Sequence, residues 1–473
     1  MTSSFGLALA ATMMIPALVD IADKNDDWKV FVGSGALTAM VCALVYVATR
    51  GDRPRFTQRL GFLIVTSVWI FGAVVGTIPL YFASFELTLA GAFFESMSGI
   101  TATGSTVISG LDALPRGILM WRSLLQWIGG IGIIGMALLI LPVLRTGGIA
   151  LYQMESSDKS DKVLPRVNQL SGGLVAAYVV LTVLCTVAYA GLGMSFFDAV
   201  NHAMTTVATA GYSTHDLSMG YFDDNRILAT ATLFMILGAM PFVIYIRAFL
   251  PRRFHLWRDP QIKLFLLTCL VLSLTIAITR RLINETPFIE AVVSSAFNLV
   301  SIITTTGYAS EDYTLWSNAA IGVFFLATFL GGCAGSTTGG IKANRLYILF
   351  QIVKANFRRL VRPHAVIRLR YGNTDIAPEG VQTVTIYFFL FFGTLLLGTV
   401  ILTMHGLDLI TAFSGALTAI ANVGPGFGQV IGPAGNFSSL PEGALWTLSA
   451  IMLLGRLELV TVLILLFPAT WKD

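Results

Sequence analysis

One pattern recurs four times after residue 59: a long apolar span, a shorter apolar segment ending in a glycine-containing loop, and a second long span. The long spans lie near 60–84 and 116–141, 171–193 and 226–250, 261–283 and 319–350, and 380–405 and 444–468. As helices rising about 1.5 Å per residue, they can cross the roughly 30 Å hydrocarbon layer of a bilayer. The short segments, near 88–102, 196–208, 288–304 and 408–421, cannot, so each must enter and leave on one side. Two more apolar segments, about 4–20 and 29–49, open the chain. The first lacks a basic stretch before it and a clear small-residue cleavage site, so it reads as a retained helix. Composition agrees: 12% of the 473 residues are charged and 55% are hydrophobic, against about 25% charged in a soluble domain.

Basic residues give an orientation. The segments 50–59, 142–170, 247–263 and 342–370 hold 4, 4, 5 and 8 Lys or Arg, 21 of the chain's 30. They share one side if every repeat crosses twice, and the positive-inside bias makes that side cytoplasmic. Both termini are then inside, with ten full spans and four segments dipping in from outside. The opposite face carries Asp112, Asp216, Asp223, Asp224, Glu311, Asp312 and Glu442. These carboxylates would gather cations at short range, or serve only as solvated loops. Cys42, Cys185, Cys269 and Cys333 lie in apolar segments without paired spacing and read as small buried hydrophobes. No basic run is interleaved with aromatics as a nucleic-acid site requires. His202, His215, His255, His364 and His405 are scattered, without HExxH, and GxSxG is absent, which argues against an enzyme.

The loops after the short segments read ITATGST (100–106), VATAGYST (207–214), ITTTGYAS (303–310) and IANVGPGFG (420–428). Each has one glycine in register, at Gly104, Gly211, Gly307 and Gly424. Non-helical backbone at membrane depth survives only where it lines water or is buried in protein. Four such loops need a common partner, and a cation ringed by carbonyl oxygens supplies one. Glycine frees the backbone to turn its carbonyls inward, and the negative end of each short helix would face the centre. With no full carboxylate ring, neutral carbonyls would favour a large, weakly hydrated monovalent cation. The fold expected is an all-α integral membrane protein with four helix–pore-loop–helix repeats in pseudo-four-fold arrangement plus two extra N-terminal helices. Residues 1–50 form the N-terminal pair, and the repeats occupy 51–145, 146–258, 259–370 and 371–473.

The third repeat is interrupted by GGCAGSTTGG (331–340), in which five of ten residues are glycine, enough to break a helix in mid-membrane. It does not match the phosphate-binding order GxxxxGK[ST]. Close helix packing and a movable gate both fit. Arg456 lies in the last apolar span, where a charge costs at least about 2.5–3.5 kcal/mol. It must find partners, either the freed carbonyls of 331–340 or Glu458.

Together FFESMSGITATGST, LLQWIGGIGII, GYSTHD, GGCAGSTTGG, ANVGPGFG and LLGRLELV resemble the Trk/Ktr/HKT superfamily of potassium transporters, its TrkH members above all, across essentially the whole chain. The resemblance implies potassium as the ion bound, with no organic cofactor. It places a selectivity filter at Ala102, Thr103 and Gly104; Thr209, Ala210 and Gly211; Thr305, Thr306 and Gly307; and Asn422, Val423 and Gly424. Pro425 after Gly424 sets the fourth loop apart. The resemblance also implies a gate at Gly331, Gly332, Gly335, Ser336, Thr337, Thr338, Gly339 and Gly340, held by Arg456. It further implies a homodimer, a cytosolic nucleotide-binding regulatory subunit of the TrkA type, and a bacterial inner membrane as the location. The basic segment Lys354–Arg370 could dock such a partner, attract anionic membrane lipid, or only fix orientation. A channel-like conduit and a sodium- or proton-coupled symporter both remain open, with Glu95 and Asp198 as the evident carboxylates for coupling.

Overall fold

The computed structural model describes residues 2–51, 57–136, 167–248, 259–365 and 367–471. The basic residues at 142–166 and 249–258, Arg53 and Arg55, and the expected span ends at 137–141 and 249–250 lie outside the described residues. The N-terminal pair is α1 (Thr2–Thr12), α2 (Met14–Ala22) and α3 (Trp28–Ala48). The break between α1 and α2 falls where Pro16 has no N–H to donate to Thr12.

The repeats follow in order. The first is α4 (Gln58–Phe82), α5 (Leu89–Ile100) and α6 (Arg116–Gly135); the second is α7 (Val167–Gly191), α8 (Phe196–Val207), α9 (Asn225–Gly238) and α10 (Val243–Ala248). The third is α11 (Pro260–Ile283), α12 (Phe288–Ile303), α13 (Asn318–Ala327) and α14 (Ala343–Val361); the fourth is α15 (Pro378–Met404), α16 (Leu409–Ala421), α17 (Glu442–Arg456) and α18 (Val460–Leu463). A two-stranded hairpin, Arg370–Tyr371 with Thr374–Asp375, joins α14 to α15.

Seven helices among the described residues are long and apolar enough to cross a membrane, or eight if the pair bent by 107° at the end of the fourth repeat counts as one span. The ten expected crossings thus include second spans that are not single helices. In the second repeat, α9 stops at Gly238 and Pro241 precedes α10. In the third, the glycine run separates α13 from α14. In the fourth, Glu458 and Leu459 both take positive φ. Sequence anticipated only the break in the third repeat, because glycine density was the signal.

Three of the short helices, α5, α8 and α16, are capped at their N-termini by a side chain, while α12 begins after Pro287 without one. Thr88 Oγ1 accepts from Gly91 N at 3.1 Å, Ser195 Oγ from Asp198 N at 3.1 Å, and Asp408 Oδ1 from Ile410 N and Thr411 N at 3.0 Å. The next repeat packs against each second span: α6 touches α8, α9 touches α12, and α17 returns to α5. Phe325 of α13 lies 5.8 Å from the ring of Phe413 on α16, closing the circle.

Glycines allow that closeness. A Cβ at Gly129 would collide with the carbonyl of Ile100, one at Gly455 with that of Ile420, and one at Gly238 would sit 2.9 Å from the carbonyl of Val207. These three carbonyls belong to the last turns of α5, α16 and α8. Gly455→Leu overfills such a contact, and overpacking costs about 1–3 kcal/mol or more. A lower midpoint of thermal unfolding in detergent is the expected result.

Candidate functional site

All four short helices end in the same way. The residues two places before the glycines, Ala102, Thr209, Thr305 and Asn422, take left-handed backbone with φ of 52°, 49°, 55° and 53°. Their N–H groups bond three residues back, to Gly99, Thr206, Ile302 and Ala419. The next N–H groups, on Thr103, Ala210, Thr306 and Val423, reach five residues back at 2.8–3.0 Å. This is a Schellman cap, which satisfies two terminal carbonyls and turns the chain sharply off the helix. Its αL position normally prefers glycine or asparagine; here Ala, Thr and Thr fill three of the four. Gly104, Gly211, Gly307 and Gly424 follow at φ 88°, 82°, 82° and 112°.

The loops interlock. A Cβ on Gly104 would strike the carbonyl oxygen of Ala210, one on Gly211 that of Thr306, and one on Gly307 that of Val423; a Cβ on Gly424 would lie 3.0 Å from the oxygen of Thr103. The first loop thus abuts the second, the second the third, the third the fourth, and the fourth the first. All four glycines line one depression of about 80 Å³. Among the described residues, no hydrogen bond reaches the carbonyl oxygens of Ala102, Thr209, Thr305 and Asn422, nor those of Thr103, Thr306 and Val423. All seven residues are buried. Unpaired carbonyls at such depth each cost several kcal/mol unless water or a cation meets them.

Residues 331–340 form a compact hairpin against the helix-end side of this ring. Gly331 N donates to Ile341 O at 3.0 Å, and Ile341 N to Phe329 O at 3.0 Å. The hairpin touches three of the four loops: the Thr337 and Thr209 hydroxyls lie 2.9 Å apart, Gly339 N donates to Thr305 Oγ1 at 2.7 Å, and Gly339 abuts Ala421 and Asn422. Thr337 Oγ1 also reaches the carbonyls of Val207 at 3.2 Å and Gly238 at 3.0 Å. Arg456, 3% exposed, donates from Nη1 to Thr337 O at 2.9 Å and from Nη2 to Gly129 O at 3.4 Å. Glu458 bonds Arg345 Nη2 at 2.6 Å instead. The sequence therefore left two partners open for Arg456, and the geometry chooses the hairpin. Beyond the hairpin lies a second, small cavity of about 30 Å³, lined by Gly335, Ser336, Gly339, Lys342 and Arg456 among others. Gly331 and Gly332 sit at the neck of the hairpin, where Thr338 Oγ1 accepts from Gly332 N at 3.1 Å and a Cβ at Gly331 would strike Gly339 O.

Sequence reasoning passed over Gln126, Lys342 and Arg122. Gln126 Nε2 donates to Ala210 O at 2.6 Å while its Oε1 accepts from Tyr212 N at 2.9 Å, bracing the second loop on both sides of its glycine. Lys342 bonds both oxygens of Thr338. Arg122 pairs with Glu95 at 2.8 Å. Each is a polar side chain inside an apolar segment, a signal that was available. Glu95 is thus held in a buried ion pair. Asp198 accepts from Thr214 Oγ1 at 2.7 Å and faces His215.

His215 joins loops of the first two repeats. Its Nδ1 bonds Asp112, its Nε2 lies 3.4 Å from Asp198 Oδ1, and its ring stacks on Tyr221 at 3.5 Å. Burial opposes charge on the imidazole, but the neighbouring carboxylates of Asp198 and Asp112 prevail and raise its pKa above the ordinary value. A raised folded-state pKa contributes stability that is complete below about pH 6.5 and lost as pH rises through the higher value. Thermal midpoints should therefore fall across that window, and His215→Ala should flatten that part of the profile.

A many-spanning helical membrane protein whose re-entrant loops close a single ring belongs among the transport proteins. Residues 28–471 match the family model described as "TrkH: Cation transport protein". The chain is 42% identical to the Trk system potassium uptake protein TrkI of Halomonas elongata, over 99% of this chain and 95% of that protein. It is 34% identical to the Trk system potassium uptake protein TrkH of Escherichia coli K12, over 99% and 97%. The crystal structure of the potassium transporter TrkH from Vibrio parahaemolyticus superposes with a TM-score of 0.91 at 34% identity, covering 100% of this chain and 99% of that one. The chain belongs to the TrkH family of cation transport proteins.

Proposed function

We propose that the chain takes up potassium through a gated, channel-like pore, with the four loops as its selectivity filter and residues 331–340 as its gate. The observation that carries this reading is the closed ring of loops with buried, unpaired carbonyls. The names of the relatives, which are potassium uptake proteins, supply the ion. Potassium is held by backbone oxygens of the filter residues, since neutral carbonyls replace the shell of a weakly hydrated cation. The hairpin stands between the ring and the inner cavity, and Arg456 latches it through Thr337. The setting proposed is a bacterial inner membrane with both termini cytoplasmic, as a homodimer working with a TrkA-type cytosolic subunit.

The test is flux into liposomes with potassium, rubidium and sodium in competition. Potassium and rubidium should pass in preference to sodium, and the reversal potential should follow the potassium gradient alone. A reversal potential that moves with pH or sodium would replace the channel with a coupled symporter.

A further inference from the structure

Nine residues before the loop glycines stand Glu95, His202, Asn298 and Gly415, four different residue types at one structural position. The first three each reach across to the outgoing limb of their own loop. Glu95 accepts from Val107 N at 2.9 Å and from Thr106 Oγ1 at 3.0 Å. His202 Nε2 meets Ser213 Oγ at 3.0 Å, with Nδ1 fixed on Asp198 O at 2.9 Å. Asn298 takes both edges of Ser310, donating to Oγ at 2.7 Å and accepting from N at 3.1 Å. In the fourth repeat Gly415 has no side chain to offer, and its neighbour Ser414 substitutes, its Oγ accepting from Phe427 N at 3.0 Å and donating to Phe427 O at a longer 3.3 Å.

The first of these contacts differs in kind. Glu95 and Arg122 are 0% and 1% exposed, so their bond is charge-assisted in a dry setting. The guanidinium extends the contact to the second loop: Nη1 donates to Ser213 O at 3.1 Å, and the group lies 4.1 Å from the Tyr212 ring. Tyr212 Oη in turn donates to Glu95 O at 2.8 Å. Two loops are thus tied together by charge, the third is held by an amide, and the fourth by one hydroxyl.

We propose that these side chains are positioning residues that clip the outgoing limb of each loop. Their graded strength, charged in the first repeat and weakest in the fourth, sets how sharply the ring discriminates between monovalent cations. The proposal rests on the ring being the selectivity filter. A filter selects by holding its oxygens at a spacing suited to one ion, or by limiting how far they yield. A limb tied by a charged network yields less than one tied by a hydroxyl.

The test compares the potassium-over-sodium flux ratio of reconstituted Glu95→Gln/Arg122→Gln, Asn298→Ala and Ser414→Ala, with unfolding midpoints recorded alongside. The double variant is used because removing one partner strands a buried charge, which is far more damaging than neutralising both. Charged hydrogen bonds exceed neutral ones, so the ratio should fall about 10-fold or more in the double variant. It should fall about 3- to 10-fold in Asn298→Ala and less than about 3-fold in Ser414→Ala. Gly211→Ala serves as the reference. If it relaxes the ratio while the folded double variant keeps it, the clips are overturned and the filter stands. If Gly211→Ala leaves the ratio unchanged, the filter itself falls. Should the double variant not assemble, the pair Asn298→Ala and Ser414→Ala decides, since equal or reversed effects there also overturn the gradient.

Discussion

Arg456→Ala should raise potassium flux about 10- to 100-fold in liposomes lacking any regulatory partner. The arginine is the only cation among the described residues that hydrogen-bonds the Thr337 carbonyl, and it ties that carbonyl to Gly129 of α6. A hydrogen bond to a charged group is worth about 1.5–3 kcal/mol. If that bond is made only when the hairpin is seated, its loss shifts the seated-to-displaced balance by a similar amount, and about 1.4 kcal/mol is tenfold. The neutral hydroxyl contacts of Thr337 with Thr209, Val207 and Gly238 remain. They explain why the hairpin should stay ordered and the protein should still assemble. Shortening the hairpin within 335–339 should act in the same direction. Flux equal to that of the intact protein, at equal reconstituted amount, would remove Arg456 from gating.

Gly211→Ala should all but abolish the preference for potassium over sodium, with a loss of about 100-fold in the flux ratio. Two costs coincide there. Left-handed backbone burdens a non-glycine residue by about 1–2 kcal/mol, and φ at this position is 82°. The new methyl also collides with the Thr306 carbonyl oxygen on the neighbouring loop. That oxygen has no hydrogen-bond partner among the described residues, so it moves rather than the helix behind it. Alanine at Gly335 is the control: φ is also positive there, at 76°, but nothing lies within 4 Å of a Cβ. Gly335→Ala should leave the ratio near its original value.

Much of the fold was legible because membrane insertion writes itself into hydropathy. The short helices begin and end within about two residues of the segments read from sequence, since lipid-sized apolar runs and re-entrant ones differ in length. The glycine register of the loops was legible too, as four copies of one local pattern. The cyclic order in which Gly104 meets Ala210, and Gly424 meets Thr103, was not, because those contacts join residues over a hundred positions apart in sequence. The breaks after Gly238 and at Glu458–Leu459 were also hidden. Pro241 alone does not place a break in an apolar run, and neither Glu458 nor Leu459 is a residue type that calls for positive φ. The partner of Arg456 could be narrowed to two candidates and no further, since Glu458 lies two residues away in sequence but is held by Arg345.

Because the four quarters of the ring lie on one polypeptide, a single codon alters one quarter alone. In a channel assembled from identical subunits, every change arrives in quadruplicate and intermediate states are closed to selection. Here Ala, Thr, Thr and Asn occupy one backbone position four times over. An experimenter can therefore alter the ring one quadrant at a time, in four ordered steps.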